Sequence, residues 1–253
     1  MPLNVDLINT GCLLINGSSL VSIYETGSGL CSTQRIGVDN EANGDCSTVS
    51  GGYQNTVSSE YGTIAGGANN TISTNSCYAT IGGGDDNTII GSEVATIAGG
   101  ENNTITTNSD YSFIGGGSYN TSSGCYSTIS GGYCNAAIAV YSTISGGYCN
   151  TTSACYSTIS GGYSNTVSGQ YSIIGNGYGN TALCGCSAIL GGISNTAQHD
   201  CSFVIGGGIF STAANTLHIN CLNIRDLPDE TAIGLPLGTV FYDSTTCNLC
   251  VCL

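Results

Sequence analysis

The sequence has very little positive charge. Its 253 residues include only two cations, Arg35 and Arg225, while 16 acidic residues give a formal net charge of -14. Surfaces that bind nucleic acids need clusters of lysine and arginine to neutralise phosphates, so this composition excludes that class of partner. Anionic membrane surfaces are excluded as partners for the same reason.

The sequence also lacks the segments that carry a protein across or into a membrane. Residues 1–6 have neither the basic start nor the apolar run of a secretory signal. No stretch approaches the roughly 20 consecutive apolar residues of a membrane-spanning helix. Fifteen cysteines nevertheless indicate a destination where disulfides survive. We therefore expect a protein that is made in a cytoplasm and becomes extracellular after lysis.

Charged residues make up 7% of the chain, and tryptophan is absent. An average soluble domain has roughly 25% charged residues. In their place stand 39 glycines, 15 tyrosines and many isoleucines, valines and threonines. Aromatic and β-branched side chains favour strands, and glycine favours tight corners. The composition predicts an all-β protein.

A fifteen-residue repeat organises the sequence. Residues 141–155 read Tyr-Ser-Thr-Ile-Ser-Gly-Gly-Tyr-Cys-Asn-Thr-Thr-Ser-Ala-Cys, and residues 156–170 are nearly identical. A fixed period this short indicates one coil of a stacked β-structure. We number the positions of a coil from 1, with Tyr141 at position 1. The coils then start at Cys31, Cys46, Tyr61, Tyr78, Val94, Tyr111, Tyr126, Tyr141, Tyr156, Tyr171, Cys186 and Cys201.

Apolar periodicity predicts how one coil is built. Positions 1–5 alternate and predict a strand, with an inward isoleucine at position 4 that includes Ile129, Ile144 and Ile159. The glycine pair at positions 6 and 7 predicts a tight corner. Two-residue insertions fall near the end of a coil, in 73–77 and 106–110. We expect that corner to be exposed, because insertions are tolerated at the surface.

A second short strand is expected to carry an asparagine at position 10, as at Asn135, Asn150 and Asn165. Stacked amides would hydrogen-bond one another along the solenoid and satisfy the turn. The alternative is that the same row binds a polar polymer such as a glycan. In the twelfth coil we expect one added residue within 202–205, with Ser211 at the asparagine position.

The pattern Tyr-Ser-Thr-Ile-Ser-Gly-Gly-Tyr-x-Asn-Thr-x-Ser-Gly, repeated over residues 31–216, resembles the head repeats of trimeric autotransporter adhesins. It is also similar to repeats in tail-fibre and virion-surface proteins of large marine tailed phages. This resemblance implies a left-handed parallel β-roll that acts as a homotrimeric adhesive or structural fibre. The chain has no heptad stalk and no C-terminal set of membrane-anchor strands, which favours a virion component over a cell-anchored adhesin.

The predicted fold class is therefore all-β, a parallel β-roll or β-solenoid of about twelve coils of 15–17 residues with short β caps. At about 4.8 Å per coil the rod would be roughly 55–60 Å long. We expect residues 1–30 to form a cap that attaches to other virion proteins, residues 31–216 the roll, and residues 217–253 a cysteine-rich cap or tip. A core one side chain deep favours lateral partners, and the outer face of positions 1, 3 and 5 could pack against its copies in a trimer.

Cysteines recur at the same position of adjacent coils. Such residues lie about 4.8 Å apart, inside the roughly 4.4–6.8 Å Cα window of a disulfide. The candidate disulfides are Cys31–Cys46, Cys134–Cys149 and Cys186–Cys201. The alternative is a stack of reduced thiols that fill space as small apolar groups.

Other cysteines test or extend this register. Cys125 and Cys155 share a position but lie two coils apart, so they should not pair within one chain. Near the C-terminus, Cys247, Cys250 and Cys252 could form disulfides or contribute to a metal site. Structural zinc usually takes four ligands, supplied by two separate pairs of residues, and this tail supplies only part of such a set. Disulfides are therefore favoured there.

These features favour a non-enzymatic structural fibre of a virion that can touch its host. We predict no catalytic residue, cofactor or resident metal. The second hypothesis is a glycan-binding adhesin, which would recognise host-surface glycans through the corners at 73–77 and 106–110 or through the C-terminal tip. The third is an enzyme that cleaves surface polysaccharide, although nothing in the sequence selects a catalytic pair.

Overall fold

The structure is a computed structural model that describes residues 5–7, 13–15, 18–20, 24–28, 33–35, 39–220, 240–243 and 248–251. Regular elements in these residues are all β-strands. None of the described residues belongs to a helix with the length and apolarity needed to cross a membrane. The chain divides into two compact units, Met1–His218 and Ile219–Leu253.

Two parallel sheets form a β-solenoid of about twelve turns, which confirms the all-β solenoid expected from the repeat. Sheet A comprises Tyr24–Thr26, Thr33–Arg35, Thr48–Val49, Thr63–Ile64, Thr80–Ile81, Thr96–Ile97, Phe113–Ile114, Thr128–Ile129, Thr143–Ile144, Thr158–Ile159, Ile173–Ile174, Ala188–Ile193, Phe203–Gly207 and Leu217–Ile219. Sheet B comprises Glu41–Ala42, Thr56–Val57, Thr71–Ile72, Thr88–Ile89, Thr104–Ile105, Thr121–Ser122, Ala136–Ala137, Thr151–Thr152, Thr166–Val167, Thr181–Ala182 and Thr196–Ala197.

Antiparallel strands occur near both ends of the chain. Val5–Leu7, Leu13–Ile15 and Ser18–Leu20 form a three-stranded antiparallel sheet. Tyr24–Thr26 pairs antiparallel with Thr33–Arg35, where sheet A begins. In the second unit, Val240–Asp243 and Asn248–Val251 form an antiparallel pair.

The coil register follows the repeat. In sheet A each position 3 pairs with the next position 3, as Thr128 does with Thr143 and Thr143 with Thr158. Ile72, Ile89 and Ile105 pair in the same way in sheet B, although the coils there are 16 or 17 residues long. The insertions therefore lie between position 12 and the next position 1, as predicted.

Positions 1–5 do not form the continuous strand that their alternation predicts. Strand pairing is confined to two residues in most coils, such as Thr143–Ile144. Position 1 instead has the left-handed conformation, with φ of 57° at Tyr141, and position 9 shares it, with φ of 51° at Cys149. Side chains other than glycine seldom adopt this conformation.

Hydrogen bonds between coils hold these turns. The N–H of Thr143 donates forward to the carbonyl of Ser157 in the next coil. The N–H of Tyr141 donates backward, to the carbonyl of Cys125, the residue just before the preceding coil begins. Because backward bonds satisfy the turn amides while forward bonds satisfy the strand amides, each coil is joined to both of its neighbours.

The core is one side chain deep. Position 4 of sheet A contributes Ile129, Ile144 and Ile159, all with no solvent exposure. Position 12 of sheet B faces them, and a small residue at position 2, such as the buried Ser142, completes the interior. Two short strands thus enclose a single row of aliphatic side chains from each sheet.

The twelfth coil differs from its prediction. Ile189 pairs with Val204 but Gly192 pairs with Gly206, so this coil has one residue fewer at that point. The N–H of Ile209 donates to Oδ1 of Asn195 at 3.0 Å, the bond that an asparagine N–H makes in other coils. Ile209 therefore takes the asparagine position, and the assignments of an added residue and of Ser211 were wrong.

Candidate functional site

The asparagine row is an internal support. Asn150 Nδ2 donates to Oδ1 of Asn135 at 3.2 Å and to the carbonyls of Gly146 and Gly162, both at 3.0 Å. The N–H and Nδ2 of Asn165 both donate to Oδ1 of Asn150. These amides are fully buried or nearly so, and their hydrogen bonds join the glycine corners of successive coils. Side chains buried in this way are not accessible to a glycan.

Tyrosines at position 1 form a continuous stack on the outside, which we call the first tyrosine row. Its members are Tyr111, Tyr126, Tyr141, Tyr156 and Tyr171. Neighbouring ring centroids lie 4.8–5.1 Å apart and the ring planes differ by 2–11°. The rings are 44–62% exposed. The coil spacing therefore becomes the stacking distance of an exposed aromatic row.

Position 8 carries a second tyrosine row, made of Tyr133, Tyr148, Tyr163 and Tyr178. Their centroids are 4.8–5.1 Å apart, and each residue also forms an isolated parallel bridge with its neighbour. Tyr119 lies against the N-terminal end of the row, with its ring tilted by 57° to that of Tyr133. The bridges form a third line of contact between coils, in addition to the two sheets.

Ring stacking determines what these rows can offer a partner. The faces of the inner rings are covered by neighbouring rings, so ring edges and hydroxyl groups point outward. Sugars usually bind aromatic side chains by stacking on an open face, and only the end rings of each row have one. An exposed row of apolar edges with regularly spaced hydroxyls is better suited to packing against another regular protein surface.

One tyrosine in each row has a raised pKa. Burial, followed by the charges of Tyr141 and Tyr111, raises the pKa of Tyr126 above its ordinary value of 10.0. The charge of Cys149 is the main cause of the raised pKa of Tyr148, followed by burial. Ionised neighbours would repel one another within a stack, so Tyr126 and Tyr148 favour their protonated forms.

Coils nearer the N-terminus have a different outer surface. Position 8 carries Asp85 and Glu101 instead of tyrosine in the coils that start at Tyr78 and Val94. Tyr61 and Tyr78 stack at 4.8 Å, but Val94 separates them from the first tyrosine row. The acidic residues also make local hydrogen bonds, as when the N–H of Glu93 donates to a carboxylate oxygen of Asp110 at 2.9 Å.

The inserted corners at 73–77 and 106–110 are polar and exposed at their tips. Thr74, Asn75, Thr107 and Asn108 are all exposed. Backbone contacts connect the corners of successive coils, since the N–H of Asn108 donates to the carbonyl of Gly91 at 3.0 Å. This part of the surface offers hydroxyl and amide groups to a polar ligand.

Two of the three candidate cysteine pairs lie within the described residues. Cys134 and Cys149 are thiols at position 9 of adjacent coils, and Cys186 and Cys201 are thiols at position 1 of adjacent coils. Burial, then a side-chain hydrogen bond with Cys134 and its charge, raise the pKa of Cys149 from 9.0 to about 11. Cys31 lies outside the described residues, so the structure does not describe its pair with Cys46.

The remaining described cysteines have separate surroundings. Cys125 Sγ donates to the carbonyl of Asn108 at 3.0 Å, and Cys184 Sγ donates to the carbonyl of Gln198 at 3.0 Å. The side chains of Cys247, Cys250 and Cys252 lie outside the described residues. Within the part of the chain that the structure describes, no group of three or more His, Cys, Asp or Glu side chains could hold a metal ion.

The tyrosine stacks are the site feature that sequence reasoning missed. It expected the position 1 tyrosines to lie on the outer face, where they could pack against copies of the chain. It did not predict that they stack on one another within a chain. The signal was present, because identical aromatic side chains at one position of a solenoid are separated by about the coil spacing of 4.8 Å.

Comparison with known proteins adds no family to this picture. No protein-family model matches the sequence, and no curated protein matches it. The functional argument therefore depends on the surface and interior of the solenoid itself.

Proposed function

We propose that this chain is a non-enzymatic structural fibre protein of a virion and that it acts as a homotrimer. It would serve as a tail fibre, head fibre or surface decoration that can contact the host. Residues 1–30 would join it to other virion proteins. The observation that carries the proposal is the first tyrosine row, an exposed aromatic stack that runs through five coils.

Exposed apolar side chains of sheet A lie at the two ends of the first tyrosine row and beyond its C-terminal end. Position 3 of sheet A carries Phe113, Ile173 and Phe203, all exposed, and Leu190 at position 5 is exposed as well. Between these ends position 3 is Thr128, Thr143 and Thr158, so the tyrosine row itself is the continuous exposed surface. Such a surface marks an interaction site more often than an isolated exposed side chain does. A straight apolar strip on a regular solenoid is complementary in shape to an identical strip on another copy.

The thin interior gives a physical reason for association. A single row of aliphatic side chains from each sheet buries little apolar surface per coil. Lateral packing would bury the tyrosine edges and add the apolar contacts that one chain cannot make alone. Closed symmetry limits such an assembly to a fixed number of chains, and the resemblance of the repeat to trimeric fibre heads favours three.

Two properties support a fibre on a particle. Stacked asparagines and two lines of stacked tyrosines connect every coil in residues 119–178 to its neighbours, which favours a stiff element. The shortage of cations leaves few sites for trypsin-like proteases outside the cell. The virion itself is proposed from the resemblance of the repeat to phage fibre proteins.

Native mass measurement tests the trimer. We expect the purified chain to have three times its 25.5 kDa mass. Replacing two rings of the first row, Tyr141→Asn with Tyr156→Asn, should give monomers, because asparagine tolerates the left-handed backbone but removes the aromatic surface. The matched control is Tyr148→Asn with Tyr163→Asn in the second row, which should remain trimeric. A monomeric wild-type chain would contradict the proposal.

The second candidate function is glycan binding by an adhesin, and the exposed polar corners favour it. Thr74 and Thr107 extend into solvent at two of the inserted corners. In this case Thr74→Ala with Thr107→Ala should abolish binding to a glycan array. Ser145→Ala with Ser160→Ala, two exposed residues of regular coils, should leave binding intact. If neither the wild-type chain nor the control binds any glycan, this candidate is wrong.

A further inference from the structure

Sheet B has a small interior in three consecutive coils. Position 12 is Ile72, Ile89 and Ile105 in the coils nearer the N-terminus, and all three side chains are fully buried. The next three coils have Ser122, Ala137 and Thr152 at the same position, also fully buried. Cohesion between these coils from apolar burial is therefore lower than in the three coils before them.

Polar groups weaken this segment further. The hydroxyl of Thr152 is buried and has no hydrogen-bond partner in the structure. The hydroxyl of Ser122 has one hydrogen-bond partner, the hydroxyl of Ser127 five residues later. A buried hydroxyl without a partner disfavours the folded state, so these coils need another source of stability.

One candidate cysteine pair, Cys134 and Cys149, lies in this segment. Cys134 and Cys149 precede Ala137 and Thr152 by three residues each, so the pair connects the two coils that carry these small interior side chains. Cys186 and Cys201 connect the last two coils, where sheet A has its register shift. Sheet B is again small at this end, with Ala182 and Ala197 at position 12.

Position and contact both allow a bond in each pair. Neighbouring coils are separated by about 4.8 Å, which lies inside the Cα range of disulfides. The N–H of Cys149 donates to the carbonyl of Tyr133, the residue before Cys134, and the N–H of Cys201 donates to the carbonyl of Gly185, the residue before Cys186, both at 2.9 Å, so the two cysteines of each pair lie next to each other in adjacent coils. All four residues lie in left-handed turns outside the strands, so closing the bond moves turn residues rather than the sheet.

We propose that Cys134–Cys149 and Cys186–Cys201 are two redox-dependent disulfide staples that hold together the coils with the smallest interiors. The oxidant is a low-molecular-weight disulfide, such as oxidised glutathione. One thiolate of a pair attacks that disulfide and releases one small thiol. The second cysteine then attacks the mixed disulfide and releases the other small thiol. In total the pair loses two protons and two electrons, and the oxidant is reduced to two thiols.

The raised pKa of Cys149 affects its reactivity in this exchange. A pKa of about 11 in place of 9.0 leaves about a hundredfold less thiolate at neutral pH. Because the thiolate is the attacking species, Cys149 itself attacks an oxidant slowly, and the redox potential of the surroundings decides whether the bond is present at equilibrium. This inference concerns the stability of the solenoid and does not depend on the proposed fibre function.

The chain contains its own control pair. Cys125 and Cys155 share a coil position but are two coils apart, and Cys125 Sγ is engaged with the carbonyl of Asn108. Their separation of about twice the coil spacing exceeds disulfide reach. If only cysteines in adjacent coils can be bridged, the oxidant should leave Cys125 and Cys155 as thiols.

Peptide mapping tests the staples on the full chain. The reduced protein is treated with oxidised glutathione, its remaining thiols are alkylated, and it is digested with chymotrypsin without reduction. Cleavage after Tyr133, Tyr141, Tyr148 and Tyr156 places Cys134 in peptide 134–141 and Cys149 in peptide 149–156. We expect these two peptides to be joined, with a loss of about 2 Da from the sum of their thiol forms.

Because peptide 149–156 also contains Cys155, the variant Cys155→Ser identifies the bridged residue. The link should persist in Cys155→Ser and vanish in Cys149→Ser. The proposal is overturned if Cys134 and Cys149 both remain alkylated after oxidation of the folded protein. It is equally overturned if Cys149 pairs with a cysteine other than Cys134, or if the bond joins two chains on a non-reducing gel.

Hydrogen exchange tests the consequence of the bond. Oxidation should slow exchange at the amides of Ala136–Ala137 and Thr151–Thr152 about tenfold or more, because the bridge closes a loop of one coil. Exchange at Thr88–Ile89 should not change. In Cys134→Ser, which cannot form the first staple, oxidation should leave both regions unchanged. Equal slowing at Thr88–Ile89 in the wild-type chain would contradict the assignment of the staple to the weak coils.

Discussion

The two halves of the solenoid combine different interiors with different exteriors. Coils within 46–110 have large aliphatic side chains at position 12 of sheet B, such as Ile89, and an irregular, acidic outside. Coils within 111–155 have small or polar side chains there, such as Ala137, and a regular outside covered by stacked tyrosines. Of these two regions, the one with the more regular surface therefore has the smaller apolar side chains in its core.

Magnitudes indicate which difference matters more for stability. Reducing a buried isoleucine to alanine costs about 2–5 kcal/mol. An aromatic pair adds about 0.5–1.5 kcal/mol beyond its burial, and these rings are half exposed. In a single chain with reduced cysteines, the tyrosine stacks therefore offset only part of the stability that is lost where position 12 carries a small side chain. We infer that the coils around Ala137 are less stable than the coils around Ile89.

The asparagine row is the feature that both halves share, so its loss should have the largest effect and the same effect in each. Asn150→Ala should destabilise the protein by about 3–5 kcal/mol, because the carbonyls of Gly146 and Gly162 lose a buried donor. Asn87→Ala should cost as much. Denaturant unfolding measures both, and a clear difference between them would show that the halves do not share this support.

The next prediction concerns a substitution that places a small side chain, as found in the second half, in the interior of the first half. Ile89→Ala should lower the free energy of unfolding by about 2–4 kcal/mol, because the fully buried side chain leaves a cavity in sheet B. The control Ile90→Ala removes an exposed side chain next to it and should change stability by less than about 0.5 kcal/mol. Equal losses for the two variants in thermal unfolding would refute the difference in interiors.

A substitution in the opposite direction should strengthen the second half. Thr152→Val removes a buried hydroxyl without a partner and keeps the side-chain shape, so we expect a gain of about 1–2 kcal/mol. Thr151→Val, at the outward neighbour, should be close to neutral. Chemical unfolding distinguishes the two, and a destabilised Thr152→Val would mean that the hydroxyl has a partner in solution.

Alkaline pH should produce the smallest effect. The pKa values of Tyr126 and Tyr148 are raised in the folded state above 10.0. Folding therefore gains stability below the unfolded value and loses it as pH rises through the folded values. Melting temperature followed from about pH 8 to about pH 11 should fall at the upper end. Tyr126→Phe with Tyr148→Phe should weaken that fall, and an unchanged profile would contradict the coupling.

Much of the solenoid could be predicted because its register depends on side chains that repeat. The aliphatic residue at position 4 and the asparagine at position 10 recur at fixed spacing, and Ile144 and Asn150 lie in the structure where that spacing puts them. Insertions after position 12 did not disturb the register, because the strands on both sides kept their own pattern.

The errors have physical causes too. Tyr141 looked like a strand residue because tyrosine favours strands and seldom adopts φ of 57°. Hydrogen bonds to the preceding coil, which a local pattern does not show, stabilise that turn. Ser211 was placed at the asparagine position because one added residue was assumed in the twelfth coil, whereas that coil is one residue shorter and brings Ile209 there.

Residue-resolved hydrogen exchange on the full chain with reduced cysteines tests the central claim most directly. We predict that the amides of Ala136–Ala137 and Thr151–Thr152 exchange at least about tenfold faster than those of Thr88–Ile89. Fraying from the ends of the solenoid cannot produce this result, because the strands at 136–152 lie in its interior with further coils on both sides. Equal protection of the two regions, or faster exchange at Thr88–Ile89, would contradict the account.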